Sequence, residues 1–230
     1  MAAAFPATRW TLILAARDVP TRKAALDELL RAYWTPLYVY ARRKGLDAED
    51  AQEAVQELFA DLVEREFPGS LDPARGRLRG WLLACLDHQL ANRYAAKSAR
   101  KRGGRAKHVP LDTELGERAL ASSAENPEQA YTREWAARVM ERALAKLREE
   151  HEAEQRVGSF AVLARFFGQG PAPAYREVAA ETGMSIPQLK AFLHRARVRY
   201  RALVLDEVRD TVADPAEAER ELAELLGLGT

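Results

Sequence analysis

Residues 175–203 read YREVAAETGMSIPQLKAFLHRARVRYRAL, which predicts a short helix, a tight turn and a long basic helix. Gly183 should end the first helix, because glycine adopts the left-handed backbone conformation at little cost. Ser185 and Gln188 have the spacing of a capping box for the second helix, and Pro187 suits its first turn. Together these elements predict a helix-turn-helix.

The second helix of this segment has two different faces. An apolar face is predicted from helical spacing, formed by Ile186, Leu189, Leu193, Ala196, Tyr200 and Val204. The other face begins with short polar groups and continues with arginines, and no carboxylate occurs between Glu181 and Asp206. This pattern favours DNA binding, with the start of the helix in the major groove. The alternative is a helical hairpin with a solvated cationic face.

The charge of the chain is informative only through its distribution. The 230 residues are 47% hydrophobic, enough for a genuine core in one large or two small domains, and the formal net charge is +1. Residues 88–111 contain seven lysines or arginines and no acid, whereas residues 206–224 are strongly acidic. We infer two basic contact surfaces, and acidic segments that compete with them or repel them.

Several classes of protein are excluded or disfavoured. Cys85 is the single cysteine, which excludes a disulfide or a cysteine zinc site within the chain. The four histidines are scattered, so we predict no metal and no cofactor. No apolar run reaches the ~20 residues of a membrane span, and the N-terminus lacks the features of a signal peptide. We expect a cytoplasmic protein that is not an enzyme, because no plausible catalytic constellation occurs.

The predicted fold class is all-α, with two helical lobes joined by a linker. No segment has the pattern of a strand. We expect a first domain at 1–104, a linker at 105–128, a helix-turn-helix domain at 129–211 and an acidic amphipathic C-terminal helix at 212–230.

The first lobe is predicted to contain a strongly acidic helix. Helices are expected at about 8–15, 22–33 and 36–44, followed by a helix over 48–65 that Asp47 caps. The core stripe of that last helix is predicted to be Ala51, Val55, Leu58, Phe59 and Leu62. Its acidic surface is Glu49, Glu53, Gln56, Glu57 and Asp61. This surface is either a solvated face with acids near the helix N-terminus or a docking face for a basic partner.

A further helix from about Arg77 is apolar in its first half and cationic in its second. The inward residues are predicted to be Leu78, Trp81, Leu82, Cys85, Leu86 and Leu90. The helix should continue into the basic cluster that ends at Gly103 and Gly104. Such a protruding cationic end suits phosphate contact, although a disordered basic tail is the alternative.

Three motifs, in this order, resemble the extracytoplasmic-function type of RNA polymerase sigma factor. EAVQELF, residues 53–59, is similar to the acidic ED-x-x-Q-E-x-F helix of that family. LDPARGRLRGWLLACLDHQLANR, residues 71–93, resembles its FDP-x-RG-x-FR-x-WL segment. YREVAAETGMSIPQLKAFLHRARVR, residues 175–199, resembles YAEIAEILGIS-x-x-T-V-K-SRLHRAR. The resemblance covers nearly the whole chain and likens its lobes to sigma regions 2 and 4.

The resemblance implies a promoter-specificity subunit whose partners are core RNA polymerase and promoter DNA. The residues implied in core-polymerase binding are Glu53, Gln56, Glu57 and Asp61. Those implied at the −10 element are Arg77, Asn92, Arg93, Lys97, Arg100 and Lys101. Those implied at the −35 element are Ser185, Gln188, Lys190, Ala191, His194, Arg195 and Arg197.

Other implications concern the loops and the C-terminus. The loop at 66–77 would hold a base flipped from the melting strand, and the linker would thread toward the RNA exit path. The chain departs from the family at Ala191 and Phe192, and we expect Phe192 to pack into the lobe. The helix after Thr211 is expected to modulate the −35 lobe or bind a regulator, and an anti-sigma factor is an open partner.

Two other functions use part of the same pattern. A stand-alone helix-turn-helix regulator needs the basic helix but no polymerase, and it usually has a dimer seam. No heptad seam is evident, which counts against it. An all-α interaction protein without DNA would tolerate neutralisation of Arg195 and Arg197.

Overall fold

The computed structural model describes residues 19–64, 77–99, 126–153, 157–167, 171–212 and 217–225. Every regular element within these ranges is helical, and the predicted all-α class is confirmed. The helices are α1 (Val19–Arg43), α2 (Ala48–Glu64), α3 (Leu78–Ala99), α4 (Pro127–Ala153), α5 (Val157–Phe167), α6 (Tyr175–Thr182), α7 (Ile186–Arg209) and α8 (Ala218–Leu225). The helix predicted at 8–15 lies outside the described residues.

The chain divides into two compact units. Unit 1 combines residues 1–138 with residues 208–230, and unit 2 contains residues 139–207. Helix α4 therefore begins in unit 1 and continues into unit 2. Helix α8 belongs to unit 1, whereas the helix-turn-helix belongs to unit 2.

Helix α1 continues through Pro36, where the sequence predicted a boundary between two helices. Proline removes one backbone hydrogen bond inside a helix. Every residue from 32 to 41 is buried, so the packing of this stretch offsets the lost bond. The prediction of two helices was wrong, because it assumed that the proline would break the helix and did not consider how deeply residues 32–41 are buried.

The two helices that follow in unit 1 keep their predicted apolar sides. The Asp50 amide donates to Asp47 Oδ1 at 2.7 Å, which confirms the predicted cap of α2. The predicted core stripe of α2 is buried in full. In α3, Leu78, Leu82, Leu86 and Leu90 are buried, while Trp81 and Cys85 are partly exposed.

Helix α4 begins with a capping box that the sequence analysis missed. The Gln129 amide donates to Asn126 Oδ1 at 2.8 Å, and the Asn126 amide donates to Gln129 Oε1 at 3.3 Å. Its first half packs in unit 1 through Tyr131 and Trp135, which are fully buried. The Tyr131 hydroxyl donates to the Arg79 carbonyl at 3.0 Å and so links α4 to the start of α3.

Unit 2 packs the second half of α4 against the helices that follow it. Its buried apolar side chains include Val139, Ala143, Leu147, Leu163, Val178, Leu189 and Leu193. The carboxylate of Glu207, near the end of α7, is 2% exposed and pairs with Arg142 and with Lys146, the latter at 2.6 Å. These contacts join the end of α7 to α4.

Candidate functional site

The turn between α6 and α7 has the predicted geometry. Gly183 has φ 68°, in the left-handed region, directly after α6. The Ser185 amide donates to Gln188 Oε1 at 2.8 Å, and the Gln188 amide donates to Ser185 Oγ at 3.3 Å. The predicted capping box is therefore confirmed. These local bonds determine the direction in which α7 leaves the turn.

Helix α7 presents its predicted polar face to solvent. The apolar face is buried at Leu189, Leu193, Ala196 and Val204, although Ile186 at the start is 38% exposed. All the residues that the sequence assigned to the −35 element are exposed, namely Ser185, Gln188, Lys190, Ala191, His194, Arg195 and Arg197. The structure thus brings them to one surface of unit 2.

The cations of α7 differ in whether they already have an acidic partner. Arg199 binds Glu150, and its Nε lies 2.9 Å from Glu150 Oε2; this contact lowers the pKa of Glu150 and raises that of Arg199. Among the described residues, no carboxylate pairs with Arg195 or Arg197. These two guanidinium groups are therefore available to an external anion such as phosphate.

Phe192 packs into unit 2, as expected from its departure from the family pattern. It is half-buried, and its ring meets the edge of the His151 ring at 6.5 Å between centroids. His151 in turn meets Phe160 at 6.3 Å. Phe192 therefore anchors α7, and the polar residues around it remain the ones exposed to a ligand.

The acidic surface of α2 is joined to α3 by Arg93. The Arg93 guanidinium pairs with Glu53, lies 3.5 Å from Glu57 and donates to the Asp50 carbonyl at 3.3 Å. Gln89 also donates to Glu57, at 2.9 Å. Two predicted polymerase-binding acids thus hold a predicted −10 residue, a contact that helix periodicity could not reveal.

The remaining residues assigned to the −10 element are only partly described. Asn92 is exposed on α3, and Tyr94, two positions further along the same helix, is 54% exposed. Lys97 lies on α3, but its side chain, together with Arg100, Lys101 and the loop at 66–76, lies outside the described residues.

Arg77 is described, and it contacts an acidic residue that the sequence analysis did not single out. Arg77 Nη1 lies 2.6 Å from Glu221 Oε2, and Arg79 Nε lies 2.5 Å from Glu221 Oε1. The contact between Arg77 and Glu221 is an ion pair that does not have the geometry of a hydrogen bond. The Glu221 side chain is fully buried. Glu221 precedes Leu222 on α8, and amphipathic spacing alone gave no sign of its burial.

A comparison with curated proteins finds one distant relative. The chain is 23% identical over 176 residues to RNA polymerase sigma factor YlaC of Bacillus subtilis (strain 168). The matched stretch covers 76% of this chain and 88% of the relative. The chain is a distant relative of an RNA polymerase sigma factor. The predicted family resemblance is confirmed. No protein-family profile matches the chain, and no solved structure matches it significantly.

Within the described ranges, no group of three His, Cys, Asp or Glu side chains could hold a metal ion. None of the described helices is long and apolar enough to cross a membrane. Burial raises the pKa of the Cys85 thiol to about 11, which gives this side chain the character of a packing residue.

Proposed function

We propose that this chain is a promoter-specificity subunit, which binds core RNA polymerase and directs transcription initiation at −10 and −35 elements. The observation that carries the proposal is the exposed face of α7. This face follows a capped turn and includes Arg195 and Arg197, which pair with no carboxylate among the described residues, in a chain related to a sigma factor over most of its length.

Recognition of the −35 element is assigned to the start of α7. Ser185 and Gln188 lie at the exposed tip, where a helix-turn-helix presents its first residues to base edges. Arg195 and Arg197 lie further along and have no described acidic partner, so they suit base edges or phosphates. Arg199 of the same helix differs from them, because it forms an ion pair with Glu150.

Core-polymerase binding is assigned to the acidic surface of α2. Glu53, Gln56 and Asp61 are partly exposed and Glu57 is exposed, so a basic partner can reach them. In the free chain the two glutamates neutralise Arg93. A basic partner would compete with Arg93 for these acids, and Arg93 would then be available to the −10 element.

The proposal is tested by reconstitution with core polymerase on a library of genomic fragments. Wild-type chain should yield promoter-dependent transcripts. Gln56→Ala should lower the affinity for core, while Gln52→Ala on the same helix serves as its control. Arg195→Ala should weaken promoter recognition by about 1–3 kcal/mol if Arg195 reads a base with two hydrogen bonds. Arg148→Ala, an exposed arginine of α4, is the matched control.

Two outcomes would contradict the proposal. If the wild-type chain yields no promoter-dependent transcript with core, it is not a specificity subunit. If it binds a specific duplex equally well without core, it is a stand-alone helix-turn-helix regulator.

A further inference from the structure

The C-terminal segment is built into unit 1 at the start of α3. The Leu78 amide donates to the Thr211 carbonyl at 3.2 Å. Val212, Ala218 and Leu222 are buried in the same unit. These contacts hold α8 against the residues that precede and begin α3.

The centre of this contact is a buried carboxylate between two arginines. Glu221 is fully buried, while the side chains of Arg77 and Arg79 are 29% and 14% exposed. A buried carboxylate is costly unless it is paired, and an apolar side chain of similar size often packs at least as stably. Packing alone therefore does not account for a glutamate at this position. Its presence is explained if Arg77 and Arg79 form an anion-binding site that the Glu221 carboxylate fills.

Arg79 would keep its position if Glu221 left. Its guanidinium carbon lies 5.2 Å from the centre of the Trp135 ring, and Nη1 donates to Thr132 Oγ1 at 3.3 Å. Both partners belong to α4, so they do not depend on α8. Arg79 is thus a preorganised half of an anion site that it shares with Arg77, and Glu221 is the anion that now occupies this site.

We propose that Arg77 and Arg79 form a phosphate-binding site for nucleic acid, which α8 closes by inserting Glu221. Guanidinium groups bind carboxylate and phosphate with the same paired geometry, so the two anions compete. The inference rests on the proposed function only for the identity of the ligand. It adds Arg79 to the DNA-binding residues and makes α8 an internal competitor for nucleic acid.

The test measures binding of a fluorescein-labelled single-stranded oligonucleotide to the full-length chain by anisotropy over a range of salt concentrations. Glu221→Gln keeps the shape of the side chain, and Glu221→Lys expels it by repulsion from both arginines. Glu219→Gln and Glu219→Lys, at an exposed position of the same helix, make the same charge changes. Circular dichroism verifies that each variant is folded.

The Glu221 variants should bind about tenfold more tightly than their Glu219 counterparts at low salt. Each phosphate contacted on a single strand contributes about 0.7 to the slope of log affinity against log salt. Contact of Arg77 and Arg79 with one phosphate each, in place of Glu221, should therefore steepen that slope by about 1.4. Adding Arg77→Ala to Glu221→Gln should remove about half of the increase.

Equal affinities and equal slopes at positions 221 and 219 would overturn the inference and leave Glu221 as a structural ion pair. The proposed function fails separately, in the transcription assay. If the chain directs transcription with core polymerase but the Glu221 and Glu219 variants have equal salt slopes, only the proposed phosphate site at Arg77 and Arg79 is refuted. A chain that does not transcribe, but gains affinity through Glu221→Lys, refutes only the sigma function.

Discussion

At the scale of single residues, the informative groups are those whose partners come from distant parts of the sequence. Arg93 pairs with Glu53 across 40 positions, and Arg79 pairs with Glu221 across 142. The family resemblance implied roles for Arg93 and Glu53, and those roles stay predictions. The contact between the two residues depends on how α2 and α3 pack, which no local pattern encodes.

Cys85 allows a prediction at this scale. Burial raises the pKa of its thiol to about 11, and only the thiolate reacts with alkylating reagents. At pH 8 the thiolate fraction of the folded protein should be about two orders of magnitude below that of an unfolded chain with an ordinary cysteine pKa of ~8.5. Alkylation by iodoacetamide should be slower by a similar factor in the folded protein than in guanidinium.

The pH profile provides the control for this prediction. The alkylation rate of the folded protein should keep rising with pH toward 11, whereas the rate of the unfolded chain should level off above its lower pKa. Equal rates in the two states at pH 8 would mean that the partial burial of Cys85 does not raise the pKa of its thiol.

At the scale of elements, local chemistry was predictable and tertiary compensation was not. Gly183, the Ser185–Gln188 box and the Asp47 cap were all deduced from neighbours within a few residues, and all have the predicted geometry. Pro36 was misread, because its effect on α1 depends on burial by other parts of unit 1.

Two glycines should respond in opposite ways to alanine. Gly183 has φ 68°, where a side chain is strained, so Gly183→Ala should lower the free energy of unfolding by about 1–2 kcal/mol. Gly80 lies inside α3 with open space around its added Cβ. Gly80→Ala should raise stability by about 0.5 kcal/mol, because alanine lowers the entropy of the unfolded chain.

Urea unfolding followed by circular dichroism measures both changes. Each variant is the control for the other, since both add the same methyl group. A loss of stability in both would contradict the assigned backbone conformations. A loss in neither would show that the turn tolerates another geometry.

At the scale of the whole molecule, the sequence predicted the order of the helices, whereas the predicted domain boundaries stay a prediction. The acidic helix, the cationic helix and the helix-turn-helix occur where they were expected. Local patterns do not encode the division into compact units, because α4 runs from unit 1 into unit 2 and residues 208–230 belong to unit 1. Helical spacing identifies which side of each helix is buried but not which helix covers it.

The separation of charge gives the two units different roles in the proposed function. Unit 1 carries the acidic surface of α2 and an arginine pair closed by Glu221. Unit 2 carries arginines without described acidic partners on an exposed helix. A net charge of only +1 therefore conceals surfaces of opposite sign, which suits a protein that contacts both a basic protein and DNA.

The most direct measurement is the mapping of transcript 5′ ends made by core polymerase on genomic DNA with and without this chain. The proposed sigma function predicts new start sites that appear only with the chain and share two sequence elements upstream. It also predicts that Arg195→Ala lowers the use of the new start sites, to an extent that depends on the strength of the −35 element upstream of each. Arg148→Ala should not have this effect. An unchanged set of start sites in the presence of folded wild-type chain would contradict the account.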